Sequence, residues 1–237
     1  MTTILSGQDP RAVFERRMGA VYAGTFLIFG IFQPFFPVWL KAEGLDDGWI
    51  GLILASQIAL RILVTGPVLR RADRAGNRAE TLIAMTGSAA LASLLFHLVG
   101  GAWPILLATL AFAALWSPLV PLGDAITLAG VRRLGVDFGR ARLWGSLAFI
   151  LANVAAGALF GLEGAGWFPI VLTGAFALSL ALTLLVPRSS SREGAPMPIP
   201  PAEPAGGWRR LRPDADLLPF VPLFLAISLI QSSHAML

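Results

Sequence analysis

Seven apolar stretches of about 20 residues recur along the chain, and they constrain its fold more than any other feature. At the helical rise of about 1.5 Å per residue, such a stretch crosses the ~30 Å hydrocarbon core of a bilayer. No stretch shows the alternating pattern of a membrane β-strand. The predicted spans cover residues 18–40, 49–69, 81–99, 103–128, 143–161, 166–186 and 217–237.

The composition supports a membrane protein and excludes several other classes. Hydrophobic residues make up 56% of the chain and charged residues 14%, which is too little polar surface for a soluble domain of this length. Without cysteine, and with only His97 and His234, the chain is not expected to hold a metal. The P-loop, H-E-x-x-H and G-x-S-x-G motifs are missing from the sequence, so we predict no catalytic residue, no cofactor and no enzyme.

The basic residues predict the orientation of the spans. Lys41 alone lies on one side of the predicted membrane, and Arg61 lies within a span. All other arginines fall in the N-terminal leader and in the loops after spans two, four and six. Since basic loops stay on the cytoplasmic side, we expect a multi-pass protein of the cell inner membrane with a cytoplasmic N-terminus. The net charge of +4 then reflects this bias, and no nucleic-acid partner is expected.

The spans divide the chain into four predicted parts. Residues 1–17 form a cytoplasmic leader, and residues 18–186 form an all-α bundle of six transmembrane helices. Residues 187–216 contain a triple serine and seven prolines, as expected of a cytoplasmic linker. Residues 217–237 read as the first helix of a second bundle that is apparently incomplete, to be completed by the same longer chain or by a partner chain.

A proline pattern suggests that the first bundle contains an internal repeat. Residues 33–37 read Gln-Pro-Phe-Phe-Pro, and residues 117–121 read Ser-Pro-Leu-Val-Pro, at matching depths in spans one and four. Three spans per repeat is an odd number, so spans one to three and four to six would have opposite topology. Such inverted repeats with interrupted helices are typical of secondary transporters, although proline is also common in membrane helices.

Two further motifs resemble those of a known family of membrane proteins. Residues 73–78 read Asp-Arg-Ala-Gly-Asn-Arg, which is similar to the loop signature that the major facilitator superfamily carries after span two. The resemblance implies a conformational role for Asp73, Arg74, Gly76 and Arg78. It also implies two six-helix bundles joined by a cytoplasmic linker.

The second motif, Phe-Gly-Arg-Ala-Arg at residues 138–142, is similar to a string in the lactose permease group of sugar–proton symporters. In that group the last arginine pairs with a span-four carboxylate near the sugar, and here Asp124 stands 18 residues before Arg142. Residues 33–41, 117–124, 137–146 and 231–235 also resemble the 3-phenylpropionate transporter group. That resemblance implies an aromatic acid as one candidate substrate.

Polar side chains within the spans are the candidate site residues. A charge at mid-bilayer is costly, so it usually faces a cavity or a partner. Arg61 shares a helical face with Gln57 and Thr65, and it could anchor a carboxylate or serve a structural bond. Asp124 could bind substrate, accept a proton, or pair with Arg142 in a purely structural way.

Further candidates lie on spans one, five and seven. Phe149 and Asn153 share the face of Arg142, and Gln33 shares a face with Tyr22 and a row of phenylalanines. We expect Gln33 and Asn153 to shape specificity and Phe149 to help form an apolar pocket, although aromatic stripes more often serve packing. His234 on span seven could carry a proton or simply pack.

These features together predict a secondary transporter working by alternating access in the lipid bilayer. The expected partners are a small organic solute, such as an aromatic or other organic acid, and a proton. The alternatives are a truncated inactive paralogue, a non-transporting membrane protein or a lipid-modifying enzyme. A lipid enzyme would cluster acids or histidines at one interface, which the sequence does not show.

Overall fold

A computed structural model describes residues 9–188, which fold into seven α-helices with no strand in that range. Short 3-10 turns follow α3 and precede α7. The helices are α1 (Pro10–Ala42), α2 (Asp47–Ala75), α3 (Arg78–Ser93), α4 (Ala102–Trp116), α5 (Leu119–Leu134), α6 (Phe138–Glu163) and α7 (Phe168–Thr183).

Six helical segments in this range are long and apolar enough to cross a membrane, because α4 and α5 together form one crossing. The six N-terminal spans of the sequence analysis are thereby confirmed. The seventh span, at residues 217–237, and His234 lie outside the described residues.

The helix ends follow from local capping. Asp46 accepts a hydrogen bond from the Trp49 backbone N–H at 2.9 Å, and this starts α2. Asp137 does the same for α6 through the Arg140 N–H at 3.2 Å. At the end of α2, Gly76 adopts a left-handed conformation with φ 63°, which glycine reaches without a steric penalty.

The first helix begins at Pro10, eight residues before the predicted span. Asp9 caps it by accepting from the Arg11 N–H at 2.9 Å, so the ordered turn starts within the predicted leader. The added turns pack against the end of α5. Phe14 is buried against Gly130, and the Glu15 carboxylate accepts from the Asp137 N–H at 3.0 Å. The early start therefore ties α1 to the connection between α5 and α6.

The two proline motifs differ in their structural effect. Pro34 and Pro37 lie inside an unbroken α1, whereas Ser117 and Pro118 form a turn that separates α4 from α5. The Ser117 hydroxyl and its backbone N–H both bond to the Ala113 carbonyl, which closes α4 at that point. The predicted inverted repeat stays a prediction.

Aromatic side chains fill the half of the bundle away from the start of α1. Phe36 stacks on Phe32 at a ring-centroid distance of 4.5 Å and meets Phe168 at 5.8 Å, and all three rings are buried. Phe36 was one of the phenylalanines on the predicted aromatic face, and here it belongs to the packed core. Large apolar side chains such as Ile62, Leu98 and Leu151 are exposed, as expected of a bundle whose solvent is lipid.

The packing between helices is uneven. Helix α1 packs most extensively on α6, and the two backbones approach closely at small residues. A Cβ added to Gly145 would lie 2.9 Å from Phe26 Cδ2 and 3.2 Å from Tyr22 Cβ. Helix α2 buries only Ile53 and Ala72, and a Cβ added to its Gly51 would meet nothing within 4 Å.

Candidate substrate and coupling site

An ion pair between α5 and α6 lies at the centre of the candidate site. Arg142 Nη1 donates to Asp124 Oδ1 at 2.8 Å, so the structure brings together the two residues that the 18-residue spacing suggested. The Arg142 side chain is 36% exposed and the Asp124 side chain is 30% exposed. The pair is thus open on one side, unlike a fully buried structural bridge.

Tyr22 on α1 is the third member of this cluster. Its hydroxyl donates to the same Asp124 Oδ1 at 2.8 Å and lies 3.0 Å from Thr127 Oγ1. Tyr22 is 1% exposed, so its phenol is shielded where the ion pair is open. Within residues 9–188, Asp124 Oδ2 has no hydrogen-bond partner, so the second carboxylate oxygen remains available.

Three aromatic rings surround the Arg142 guanidinium. Its Cζ lies 5.0 Å from the Phe26 centroid, 5.8 Å from Tyr22 and 6.0 Å from Phe138. Aromatic faces stabilise a cation without neutralising it, so they hold the charge while leaving guanidinium N–H groups free to bind. The close approach of α1 to α6 at Gly145 places Tyr22 and Phe26 there.

The ion pair restricts how an anion could bind to Arg142. A guanidinium binds carboxylates through paired hydrogen bonds, but Arg142 is already paired with Asp124. A carboxylate arriving at Arg142 would meet the Asp124 charge at close range, which is repulsive. An incoming anion therefore competes with Asp124 for the guanidinium.

The predicted stripe on α2 is arranged differently. Arg61 is exposed, Gln57 is half-buried, and the Thr65 hydroxyl donates back to the Arg61 carbonyl at 2.7 Å. Within residues 9–188 neither Arg61 nor Gln57 has a side-chain hydrogen bond or ion pair. The stripe is therefore real as a helical face, but the described residues do not join it to the Asp124 cluster.

The remaining predicted residues lie at the edges of the packed bundle. Gln33 is exposed, whereas Phe149 and Asn153 are half-buried on the face of α6 that also carries Arg142. A Cβ added to Gly30 would contact the Phe149 carbonyl oxygen, so this part of α6 is fixed against α1. In the part of the chain that the structure describes, the Gln33 and Asn153 side chains make no hydrogen bond.

The loop between α2 and α3 is a short turn bridged by an ion pair. Arg78 Nε donates to Asp73 Oδ1 at 2.6 Å across the left-handed turn at Gly76. Arg74 lies in the last turn of α2 and is exposed. The four predicted loop residues thus surround one turn.

Sequence reasoning missed the role of Tyr22 and Thr127 in the site. Tyr22 was assigned to a packing stripe, although it is the only tyrosine in the chain. Thr127 lies three residues after Asp124, on the same helical face, and that spacing could have indicated it. No group of three or more metal-binding side chains occurs among residues 9–188.

A helical bundle with six candidate membrane crossings and a partly open ion pair inside it defines a multi-pass membrane protein with an internal polar site. Residues 16–204 match the MFS_1 like family, and the chain belongs to that family of the major facilitator superfamily.

Its similar proteins are transporters and permeases rather than enzymes. The chain is 37% identical over 143 residues to the "Probable 3-phenylpropionic acid transporter" of Escherichia coli (strain K12), covering 58% of this chain and 36% of that protein. It is 31% identical to the "Maltose permease" of Geobacillus stearothermophilus over 57% of this chain and 35% of the relative. It is 29% identical to the "Lactose permease" of Citrobacter freundii over 68% and 40%. The chain thus spans well under half the length of these relatives.

Proposed function

We propose that the protein takes part in secondary active transport of a small organic carboxylate, coupled to protons, across the inner membrane. The observation that supports this most directly is the open Asp124–Arg142 pair inside the bundle. Family membership and the three transport relatives support the general class. The relative named for 3-phenylpropionic acid supports an aromatic acid as the first solute to test.

The proposed coupling follows from charge balance at the pair. With Asp124 ionised and Arg142 protonated, the pair is neutral, and the empty transporter can change conformation without solute. With a proton on Asp124 and a carboxylate on Arg142, the loaded site is neutral again. Since charge is costly in the membrane interior, the half-loaded states are disfavoured and proton and anion move together.

Other predicted residues take secondary roles in this proposal. Phe26 and Phe138 would contact an aromatic group beside Arg142, while Phe149, Asn153 and Gln33 would set the size and polarity of the solute. Arg61 and Gln57 would form a second polar wall. His234 keeps its proposed role in proton transfer, outside the described residues.

The proposal includes a second helical bundle, supplied by the same longer chain or by a partner chain. Alternating access needs two bodies that rock about a central site, and residues 18–186 supply one of them. Residues 187–216 would link the bundles on the cytoplasmic side, where residues 1–17 also lie, and residues 217–237 would open the second. Inverted repeats of three helices within the first bundle would provide the bending needed.

A binding experiment with matched ligands tests the proposal. The purified chain in lipid nanodiscs is titrated with 3-phenylpropionate and with its uncharged amide, at several pH values. We expect the acid to bind with uptake of one proton and the amide to bind weakly without one. Arg142→Gln should abolish binding of the acid. Asp124→Asn should bind it without proton uptake, because the competing charge is gone.

Transport itself is tested in membrane vesicles with an imposed proton gradient. Uptake of the labelled acid should rise with an inward gradient and stop when the gradient is dissipated, without moving net charge. The intact mass of the native product, measured in parallel, shows whether one polypeptide carries both bundles. Equal binding of acid and amide, unaffected by Arg142→Gln, would contradict the proposed site, and a failure to bind any acid would favour an inactive paralogue.

A further inference from the structure

The hydroxyl of Tyr22 faces two acceptors but has only one proton to donate. Asp124 Oδ1 lies at 2.8 Å and Thr127 Oγ1 at 3.0 Å. The Thr127 hydroxyl uses its own proton in a 2.9 Å bond to the Gly123 carbonyl, so toward Tyr22 it is left as an acceptor. The phenol can therefore donate its proton to the carboxylate or to the neutral hydroxyl, but not to both at once.

The charge on Asp124 determines which of the two acceptors the Tyr22 hydroxyl bonds to. A hydrogen bond to an ionised acceptor is about twice as strong as a neutral one, so the phenol donates to Asp124 while the carboxylate is charged. When Asp124 takes a proton, Oδ1 becomes a neutral carbonyl oxygen and the advantage over Thr127 disappears. We propose that Tyr22 is a positioning residue for the transport site, whose hydroxyl proton turns from Asp124 to Thr127 when Asp124 is neutralised.

Burial separates this role from contact with the solute. Tyr22 is 1% exposed, while the Asp124 and Arg142 side chains keep about a third of their surface open. A solute can reach the ion pair and the unbonded Oδ2, but it cannot reach the phenol. Tyr22 thus acts through Asp124, holding Oδ1 in place while the proton arrives at Oδ2 and the solute carboxylate binds Arg142. The proposal rests on the transport function proposed above.

Few other charged groups lie where they could affect whether Tyr22 bonds to Asp124 or to Thr127. Among residues 9–188, the ionisable side chains bonded to Asp124 are Arg142 from α6 and Tyr22 from α1. Helix α3 also packs on α5, and it carries its charges, Arg78 and Glu80, in its first turn. Helix α2 touches α5 lightly and brings Arg61, which has no hydrogen bond or ion pair within the described residues.

The chain offers a direct test because Tyr22 is its only tyrosine. Protein labelled with ¹³C-tyrosine and placed in nanodiscs gives an infrared C–O band from this one residue. We expect the band to move between wild type and Asp124→Asn, which makes the acceptor neutral while keeping its shape. In the Asp124→Asn background, Thr127→Val should move the band again, because the alternative acceptor is then lost.

Matched controls keep this test independent of folding and transport. Thr25→Val removes another buried hydroxyl from α1, one that bonds only to its own helix at the Val21 carbonyl, and should leave the band unchanged. If Asp124→Asn fails to fold, the double change Asp124→Leu with Arg142→Met removes the same acceptor without leaving a lone charge. An identical band in wild type and the folded Asp124 variant would overturn the proposal.

Uptake kinetics then test the positioning role. Tyr22→Phe keeps the ring beside Arg142 and removes only the hydroxyl, so we expect KM for the acid to rise about tenfold with little change in the maximal rate. Thr127→Val should have a smaller effect and Thr25→Val none. A loss of maximal rate alone, in proportion to lost protein, would mean that Tyr22 is merely structural. If no variant or wild type transports, the infrared result still decides the hydrogen-bond switch.

Discussion

Two arginines lie within the predicted spans or at their edge, and the structure gives them opposite surroundings. Arg142 has a carboxylate at 2.8 Å and three aromatic rings within 6.0 Å, all supplied by the tightly packed α1, α5 and α6. Arg61 lies on the open face of α2 with no side-chain partner among residues 9–188. On sequence grounds Arg61 was a candidate anchor for a carboxylate, and Arg142 was the expected partner of Asp124 in the candidate site.

The difference shows that two arginines in predicted spans or at their edge can have quite different surroundings. Arg142 is held in place before any solute arrives, so its binding depends on releasing Asp124. Arg61 is exposed on a surface that also carries Ile58 and Ile62, and in the membrane such a charge needs water or a partner. We therefore keep the packed arginine as the proposed solute-binding residue and compare the open arginine with it.

The largest expected effect comes from leaving one charge of the packed pair alone. Arg142→Met should lower the free energy of unfolding by about 2 kcal/mol, less than the 3–5 kcal/mol of a fully buried pair because a third of the surface is open. Adding Asp124→Leu should recover most of that stability without restoring acid binding. The measurement is thermal unfolding in detergent together with ligand titration.

The double variant decides whether the packed pair is more than structural. Recovery of both stability and acid binding in the double variant would show that the pair serves folding alone. The comparison between the two arginines would then lose its functional meaning. Arg61→Met, measured alongside, should show no comparable loss of stability.

The next largest difference in the free energy of unfolding is expected between two glycines, one in the packed α1–α6 interface and one on the open face of α2. Gly145→Ala places a methyl group 2.9 Å from Phe26 in the packed interface, and we expect a loss of about 1–3 kcal/mol from overpacking. Gly51→Ala on the open face of α2 meets nothing within 4 Å and should be neutral or slightly stabilising, since alanine favours helix. Thermal unfolding checks both, and equal losses would mean that α2 is covered in the native membrane protein.

The spans were predictable because they depend on local composition. An apolar run of about 20 residues crosses a membrane whatever its neighbours, so all six spans before the linker were found. The helix ends were less accurate because capping and packing set them. The early start at Pro10 depends on Asp9 and on Phe14 packing against Gly130, a residue more than 100 positions away in the chain.

The site was only partly predictable for a similar reason. The 18-residue spacing and a familiar string brought Asp124 and Arg142 together, and the structure agrees at 2.8 Å. Tyr22 joins them across 102 residues, and no local spacing rule connects α1 to α5 at that distance. A stripe of aromatic residues looks the same whether it packs or binds, so only the hydroxyl contact reveals its role.

A smaller effect is expected from the open arginine. Arg61→Gln removes a charge that has no hydrogen bond or ion pair among residues 9–188, so the free energy of unfolding should change by less than about 0.5 kcal/mol. Acid binding at Arg142 should persist. A loss as large as that of Arg142→Gln would show that Arg61 has a partner outside the described residues, and the contrast between the two arginines would fail.

Similarly small effects should come from the surface ion pairs, and these pairs are the reference for the one inside the bundle. Lys41 and Asp47 are 2.6 Å apart with side chains 61% and 89% exposed, while Asp73 and Arg78 are equally close and less exposed. Exposed pairs contribute about 0–1 kcal/mol, so Lys41→Gln should be barely detectable and Asp73→Asn slightly larger in thermal unfolding. The inner pair is about as exposed as Asp73 and Arg78, and all three pairs have similar distances. A ranking from Lys41 through Asp73 to Arg142 would therefore show that exposure separates the first two pairs and that aromatic contact strengthens the inner pair. If Arg142→Met were no worse than Lys41→Gln, water would screen the inner pair as fully as the surface ones, and the charge coupling proposed for Asp124 would have no physical basis.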